Sequence, residues 1–274
     1  MASATCVATL FQMVSTRLVF VSGKGGTGKS AVAAALCIAR ARRGESVLAV
    51  DMGSSPGLAA HLGAKSLTYR PHEVREGLFA MEIDRAAALD EYLKLQLRVP
   101  QGAPTRQIAA ALTVLAETAP GVREIISIGK PISEAWTGRW DTIVVDATSL
   151  GQFQSYLRAP TTIAELVPTG NVRRQAERLQ STMLDPGCTS ILLVTTPAEL
   201  PILETIDSIE VLRSDGLAPP PTVVMNRVLP PGGLDPDRLD ELPDGPVRAA
   251  ATLQTHLEFE QDRWIDAIET VSSL

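Results

Sequence analysis

An α/β fold with a doubly wound, mostly parallel central sheet and helices on both faces is predicted from three observations. Short apolar, β-branched runs alternate with stretches of helical periodicity, the pattern of βαβ units whose strands are buried on both sides. A glycine-rich loop joins the first run to the first helical stretch. Finally, polar residues that could face a ligand, Asp51, Asp146 and Asn226, close three of the runs, and ligands in such sheets sit at the carboxyl ends of strands.

The elements follow in order. Leu18–Val21 is the first strand, and an alanine-rich helix follows its loop. Ser46–Asp51 is a second buried strand, with a turn and a short helix in MGSSPGLAAHLG after it. Gly77–Asp84 reads as a strand. Ala86–Leu97 and Arg106–Gly129 carry helical periodicity, with Ile108, Leu112 and Leu115 on one face and a break at Pro100–Pro104. These form a small inserted helical subdomain, about 86–130. Trp140–Asp146 is a strand expected to end at its carboxylate, and Ser190–Thr195 and Thr222–Asn226 repeat the pattern around a helix at Glu199–Ser214. Pro230–Pro246 is expected to be an exposed loop, with a short strand near Val247 and a closing helix at Gln254–Val271. Residues 1–16 are expected to be a disordered tail, with Met13 an alternative start, and 17–274 a single domain.

Composition excludes several classes. A chain of 274 residues, 45% hydrophobic, can bury a large core. The net charge of -6 argues against a nucleic-acid partner, since phosphate contacts need clustered Lys and Arg. No apolar run reaches membrane-spanning length, so stable membrane insertion is not expected, and the opening lacks a basic signal region, so a cytoplasmic location is. Cys6, Cys37 and Cys188 are scattered and make no recognisable metal or disulfide pattern; Cys37 is expected to be a buried thiol. His61, His72 and His256 lack ligand spacing and read as surface or packing residues.

The loop carries the chemistry. Gly23-Lys24-Gly25-Gly26-Thr27-Gly28-Lys29-Ser30 fits G-x-x-x-x-G-K-[ST], in which backbone N–H groups cradle phosphates at a helix start. Lys29 would sit between the β- and γ-phosphates of a nucleotide, and Ser30 would ligate Mg²⁺. Asp146, at a strand end, is suited to steering the same Mg²⁺ shell.

The second lysine, Lys24, makes GKGGTGKS resemble the deviant phosphate loop of the arsenite-pump and tail-anchored-protein-targeting ATPases, the MinD and ParA positioning ATPases, and nitrogenase iron protein. The resemblance implies that Lys24 reaches a partner's nucleotide across a two-fold interface. The chain is similar to the arsenite-pump/targeting branch beyond the loop. VVDATSLGQFQSYLRAP resembles its second switch, with Asp146, Gly151 and Pro160 matching and Leu157-Arg158 matching loosely. FAMEIDRAAALDEYL, TTPAELPILETIDSIEVL and VVMNRV resemble three further segments, so Leu18 to about Val228 is covered. By this resemblance Gly151 is the γ-phosphate sensor and Asn226 bonds the adenine; by residue type alone, Asn226 is equally an αL turn residue. It implies a phosphate-loop NTPase fold, ATP and Mg²⁺ as cofactors, and a catalytic set of Lys24, Lys29, Asp51 and Asp146. The look is that of actinobacterial members, which lack a long hydrophobic insert.

One departure stands out. The family pattern VD-x-DP at the second strand uses its later Asp to orient the attacking water, whereas Asp51-Met52-Gly53 puts glycine there. Slow hydrolysis, or hydrolysis completed by a partner's residue, is therefore expected, with Asp51 able to substitute after a small loop shift. The first reading is an ATPase whose nucleotide gates a dimer and drives an unknown client. The alternatives are a weakly hydrolysing regulatory or scaffold subunit paired with a paralogous ATPase, and a MinD/ParA-like positioning ATPase. Three features speak against particular clients and partners: only six Met occur, Cys6, Cys37 and Cys188 are not expected to converge, and the C-terminal helix is acidic. A homodimer and a heterodimer are both compatible with the residues.

Overall fold

The computed structural model describes residues 16–53, 57–97 and 121–272. The strands are β1 (Leu18–Gly23), β2 (Val47–Asp51), β3 (His72–Arg75), β4 (Leu78–Glu82), β5 (Thr142–Ser149), β6 (Thr189–Thr195) and β7 (Thr222–Met225). They form one sheet in the order β3-β4-β2-β5-β1-β6-β7. Every pairing is parallel except β3 with β4. The helices are α1 (Lys29–Ala41), α2 (Gly57–Leu62), α3 (Arg85–Leu97), α4 (Val122–Trp136), α5 (Leu150–Leu166), α6 (Asn171–Leu184), α7 (Glu199–Ser214) and α8 (Pro246–Ser272).

Strand period two divides the core into two layers. Leu18, Phe20, Leu48, Val50, Ile143, Val145, Ile191 and Leu193 face one way and pack on α4 to α8. Val19, Val21, Val47, Ala49, Val144, Leu192 and Val194 face the other way, onto α1 and α2. Both faces are covered, which is why the strands read as continuous apolar runs. Strand β1 lies between β5 and β6, next to the middle strand of the sheet, and delivers the glycine loop to the sheet's carboxyl edge.

Several expectations change. β5 continues past Asp146 to Ser149, because Gly23 extends β1 alongside it with an extra residue accommodated in the β5 register. Residues near Val247 are helical: Pro246 opens α8, where a missing N–H and fixed φ suit a first helical position. The Pro230–Pro246 loop is largely exposed and carries a 3₁₀ turn at Pro236–Glu241. The insert is helical in α3 and α4, the latter running on to Trp136; residues 98–120, including Pro100–Pro104, Ile108, Leu112 and Leu115, lie outside the described residues. Most of the expected N-terminal tail also lies outside them. Thr16, its last residue, is buried, and its hydroxyl bonds Ser190 Oγ at 2.8 Å.

Candidate functional site

The site assembles at the carboxyl edge of β1, where no side chain can be tolerated. A Cβ on Gly23 would lie 2.1 Å from the Val194 carbonyl oxygen of β6, so only glycine lets β1 turn out of the sheet there. Gly26 and Gly28 have φ of 85° and 95°, in the left-handed region that glycine enters without penalty. At Gly25 and Gly26 an added Cβ would meet nothing within 4 Å, and both residues are exposed, so the tip of the loop is uncovered by the rest of the chain. The loop is closed around one atom, the Lys24 carbonyl oxygen. It accepts from Thr27 Oγ1 at 2.9 Å and from Lys29 Nζ at 3.2 Å. Gly28 caps α1 with no side-chain cap, leaving the first helical N–H groups available to an anion.

Around the loop stand four charged groups. Lys29 follows it directly; burial lowers its pKa, and the Asp146 carboxylate works in the opposite direction. Asp146 is 5% exposed, and burial raises its pKa while a hydrogen bond from Ser30 and the charge of Lys29 hold it down. Its Oδ1 has no hydrogen-bond partner. A buried carboxylate oxygen left open beside a serine hydroxyl fits a hard cation such as Mg²⁺, which takes oxygen ligands and keeps several waters. Among the described residues no cluster of three or more His, Cys, Asp or Glu forms a closed metal cage.

Asp51 lies in register with Asp146 on the neighbouring strand β5 and with Glu82 on β4. Burial raises its pKa to about 7, with the two flanking acids adding to the rise and a hydrogen bond from the Gly53 N–H opposing it. That bond, 2.7 Å to Oδ1, folds the carboxylate back onto its own turn. Gly53 is exposed.

Lys24 does not point into the loop. Its ammonium is paired with the Glu204 carboxylate of α7. Gly151 stands in the first turn of α5, just beyond β5, with open space where a Cβ would be. Asn226 follows β7; its Nδ2 donates to the Thr27 carbonyl at 2.8 Å, so it touches the phosphate loop itself. The αL conformation expected of a turn residue falls on Arg227, at φ 58°.

Thus Gly23 to Ser30, Asp51, Asp146 and Asn226 gather at one edge of the sheet, with Gly151 at the adjoining helix start and Lys24 turned to α7. The sequence reading assigned nothing to Glu204, although it falls within the recognised segment TTPAELPILETIDSIEVL. It also missed the buried Thr195, whose Oγ1 is unpartnered at the end of β6. Cys37 is buried and its thiol pKa raised by desolvation, so it is inert packing; Cys188 is partly exposed and Cys6 lies outside the described residues. No helix among the described residues is long and apolar enough to cross a membrane.

The comparisons with known proteins agree with this geometry. The family model described as anion-transporting ATPase matches residues 16–172. ATPase BagA of Mycobacterium tuberculosis is 32% identical over 249 residues, covering 87% of this chain and 72% of BagA. ATPase get3 of Schizosaccharomyces japonicus is 28% identical over 155 residues, covering 56% of this chain and 47% of that protein. ATPase GET3 of Chaetomium globosum is 24% identical over 257 residues, covering 81% and 76%. With its loop, its sheet and more than half its length matched, the chain belongs to the anion-transporting ATPase family and is a phosphate-loop ATPase.

Proposed function

We propose that the chain binds Mg·ATP in the loop Gly23–Ser30, hydrolyses it slowly, and uses the nucleotide to close a dimer that acts on a client protein. One observation carries this reading: a glycine loop leading into an uncapped helix start, with Lys29, Ser30 and the unpartnered Asp146 Oδ1 beside it. The N–H groups of Gly25 to Ser30 hold the phosphates, and Lys29 neutralises charge building up between the β- and γ-phosphates. Ser30 and Asp146 would hold the Mg²⁺ shell, and the ion would supply charge neutralisation to the phosphate oxygens. Asp51, with a pKa near neutrality, is matched to accept the proton of an attacking water. Its tie to the Gly53 N–H must loosen for it to reach, and no later carboxylate relieves it of the task. Gly151 senses the γ-phosphate, and Asn226 offers its remaining amide hydrogen to the base.

Lys24 closes the partner's site. In the single chain its charge is held by Glu204, an exposed pair that costs little to separate. Both lie at the carboxyl edge of the sheet together with exposed Leu200 and Leu203 of α7, a surface that a second copy or a paralogue would cover. Light scattering with ATP, with ADP and without nucleotide tests this. ATP is expected to produce a dimer that ADP does not, and Lys24→Ala to abolish it. A monomer under all three conditions, or an unchanged dimer in the variant, overturns the trans contact.

A second reading, a regulatory subunit that binds ATP and barely cleaves it, is favoured by Gly53 and by the Asp51 side chain turned back onto its turn. Phosphate release measured with and without the paralogous ATPase separates the two.

A further inference from the structure

Asn226 is tied to the phosphate loop from the end of β7, the edge strand two places from β1. Its own N–H donates to the Thr195 carbonyl at 2.8 Å, which fixes its backbone to the end of β6. Its Oδ1 accepts from the Arg227 N–H at 2.9 Å, which fixes which way the carboxamide faces. Nδ2 then donates to the Thr27 carbonyl at 2.8 Å, between residues 199 apart in sequence. Thr27 is itself only 2% exposed, and its hydroxyl is held by the Lys24 carbonyl. The next residue must be glycine for this contact to exist: a Cβ on Gly28 would lie 2.3 Å from Asn226 Nδ2.

A trans peptide points its C=O and the following N–H in opposite directions within one plane. Fixing the Thr27 carbonyl toward Asn226 therefore fixes the Gly28 N–H away from it. In a loop of this kind, successive backbone N–H groups that converge on one concavity are what hold phosphate, so the direction of each N–H matters to the grip.

We infer that Asn226 is a positioning residue for the phosphate loop: its carboxamide orients the Thr27–Gly28 peptide and so sets the phosphate grip independently of any contact with a base. The inference rests on the reading that this loop holds the nucleotide's phosphates. It extends that reading by making the strand-end asparagine part of the grip. One further amide hydrogen and one further Oδ1 lone pair remain for a base edge, so the same side chain links the two ends of the nucleotide.

Calorimetry with Mg·ATP and with Mg·tripolyphosphate, which has no base, tests it on the full chain, on Asn226→Ala and on Asn226→Asp. Loss of one neutral hydrogen bond predicts that tripolyphosphate binds Asn226→Ala about fivefold more weakly. Asn226→Asp, which sets a carboxylate against the Thr27 carbonyl, is expected to lose more, on the order of tenfold or beyond. Both variants are melted without ligand in parallel. A residue with only a structural role lowers the melting temperature but leaves tripolyphosphate affinity of the folded chain intact, and that result overturns the inference. So does ATP weakening while tripolyphosphate binds both variants as it binds the parent, which leaves a base contact only. A parent chain that binds ATP but not tripolyphosphate also overturns it, since the loop is then no independent grip. If the parent binds neither, the nucleotide reading itself fails.

Discussion

Replacing Asp51 by Asn isolates the electrostatic strain at the carboxyl edge of the sheet. Asp51 is 5% exposed, flanked in register by Asp146 and Glu82, and its pKa is raised from 3.8 to about 7, chiefly by burial. Between those values the folded chain holds a proton that the unfolded chain has released. Stability is therefore fully present below about pH 4 and is lost as the pH rises through 7. At 1.36 kcal/mol per pH unit, the span corresponds to about 4 kcal/mol, an upper figure because water can reach the ionised form. Asn keeps an oxygen to accept the Gly53 N–H and never ionises. The variant should match the parent near pH 4 and melt higher above pH 7, by on the order of 10 °C for a chain of this size. The assay is thermal unfolding of the ligand-free chain at intervals from pH 4 to 8. A difference in melting temperature that does not change with pH, or a variant less stable at pH 8, would refute the reasoning.

Three further outcomes are expected. Gly53→Asp restores a carboxylate after Asp51 and should raise phosphate release by roughly tenfold to a hundredfold in Mg-loaded protein, given what water positioning contributes; unchanged turnover contradicts the role given to that position. Gly23→Ala drives a Cβ to 2.1 Å from the Val194 carbonyl, and should lower stability by about 1–3 kcal/mol in chemical denaturation, whereas an unchanged midpoint means β1 and β6 separate freely. Glu204→Gln frees Lys24 from an exposed ion pair worth up to about 1 kcal/mol, so the ATP concentration for half-maximal dimer should fall by up to about fivefold. A rise in that concentration would mean Glu204 assists the contact.

How much was readable before the structure depended on whether burial or contact decided the outcome. The central strands were legible because both faces are covered, which leaves uninterrupted runs such as Val47–Asp51 and Thr189–Thr195. Helix α7 was legible to the residue despite Pro201, which sits in the first turn, where its missing N–H costs nothing. β3 was not: it is four residues long, carries Glu73 and Arg75, and is only half buried as an antiparallel edge. α5 and α6 were hidden differently, the first by Gly151 and Pro160 within it, the second by a polar sequence that buries only Ala176, Leu179 and Met183. In the site, the glycine loop and the carboxylates Asp51 and Asp146 were visible because local sequence makes them, although only Asp51 ends its strand and β5 runs three residues beyond Asp146. The links from Lys24 to Glu204 and from Asn226 to Thr27 join residues 180 and 199 positions apart, and no local pattern encodes them.

The account stands most directly on whether the loop Gly23–Ser30 holds a triphosphate. Calorimetric titration of the full chain with Mg·ATP, alongside Lys29→Ala, measures this. The account predicts one nucleotide bound per chain and loss of that heat in the variant. No heat from the parent chain, or equal binding by both, would contradict it.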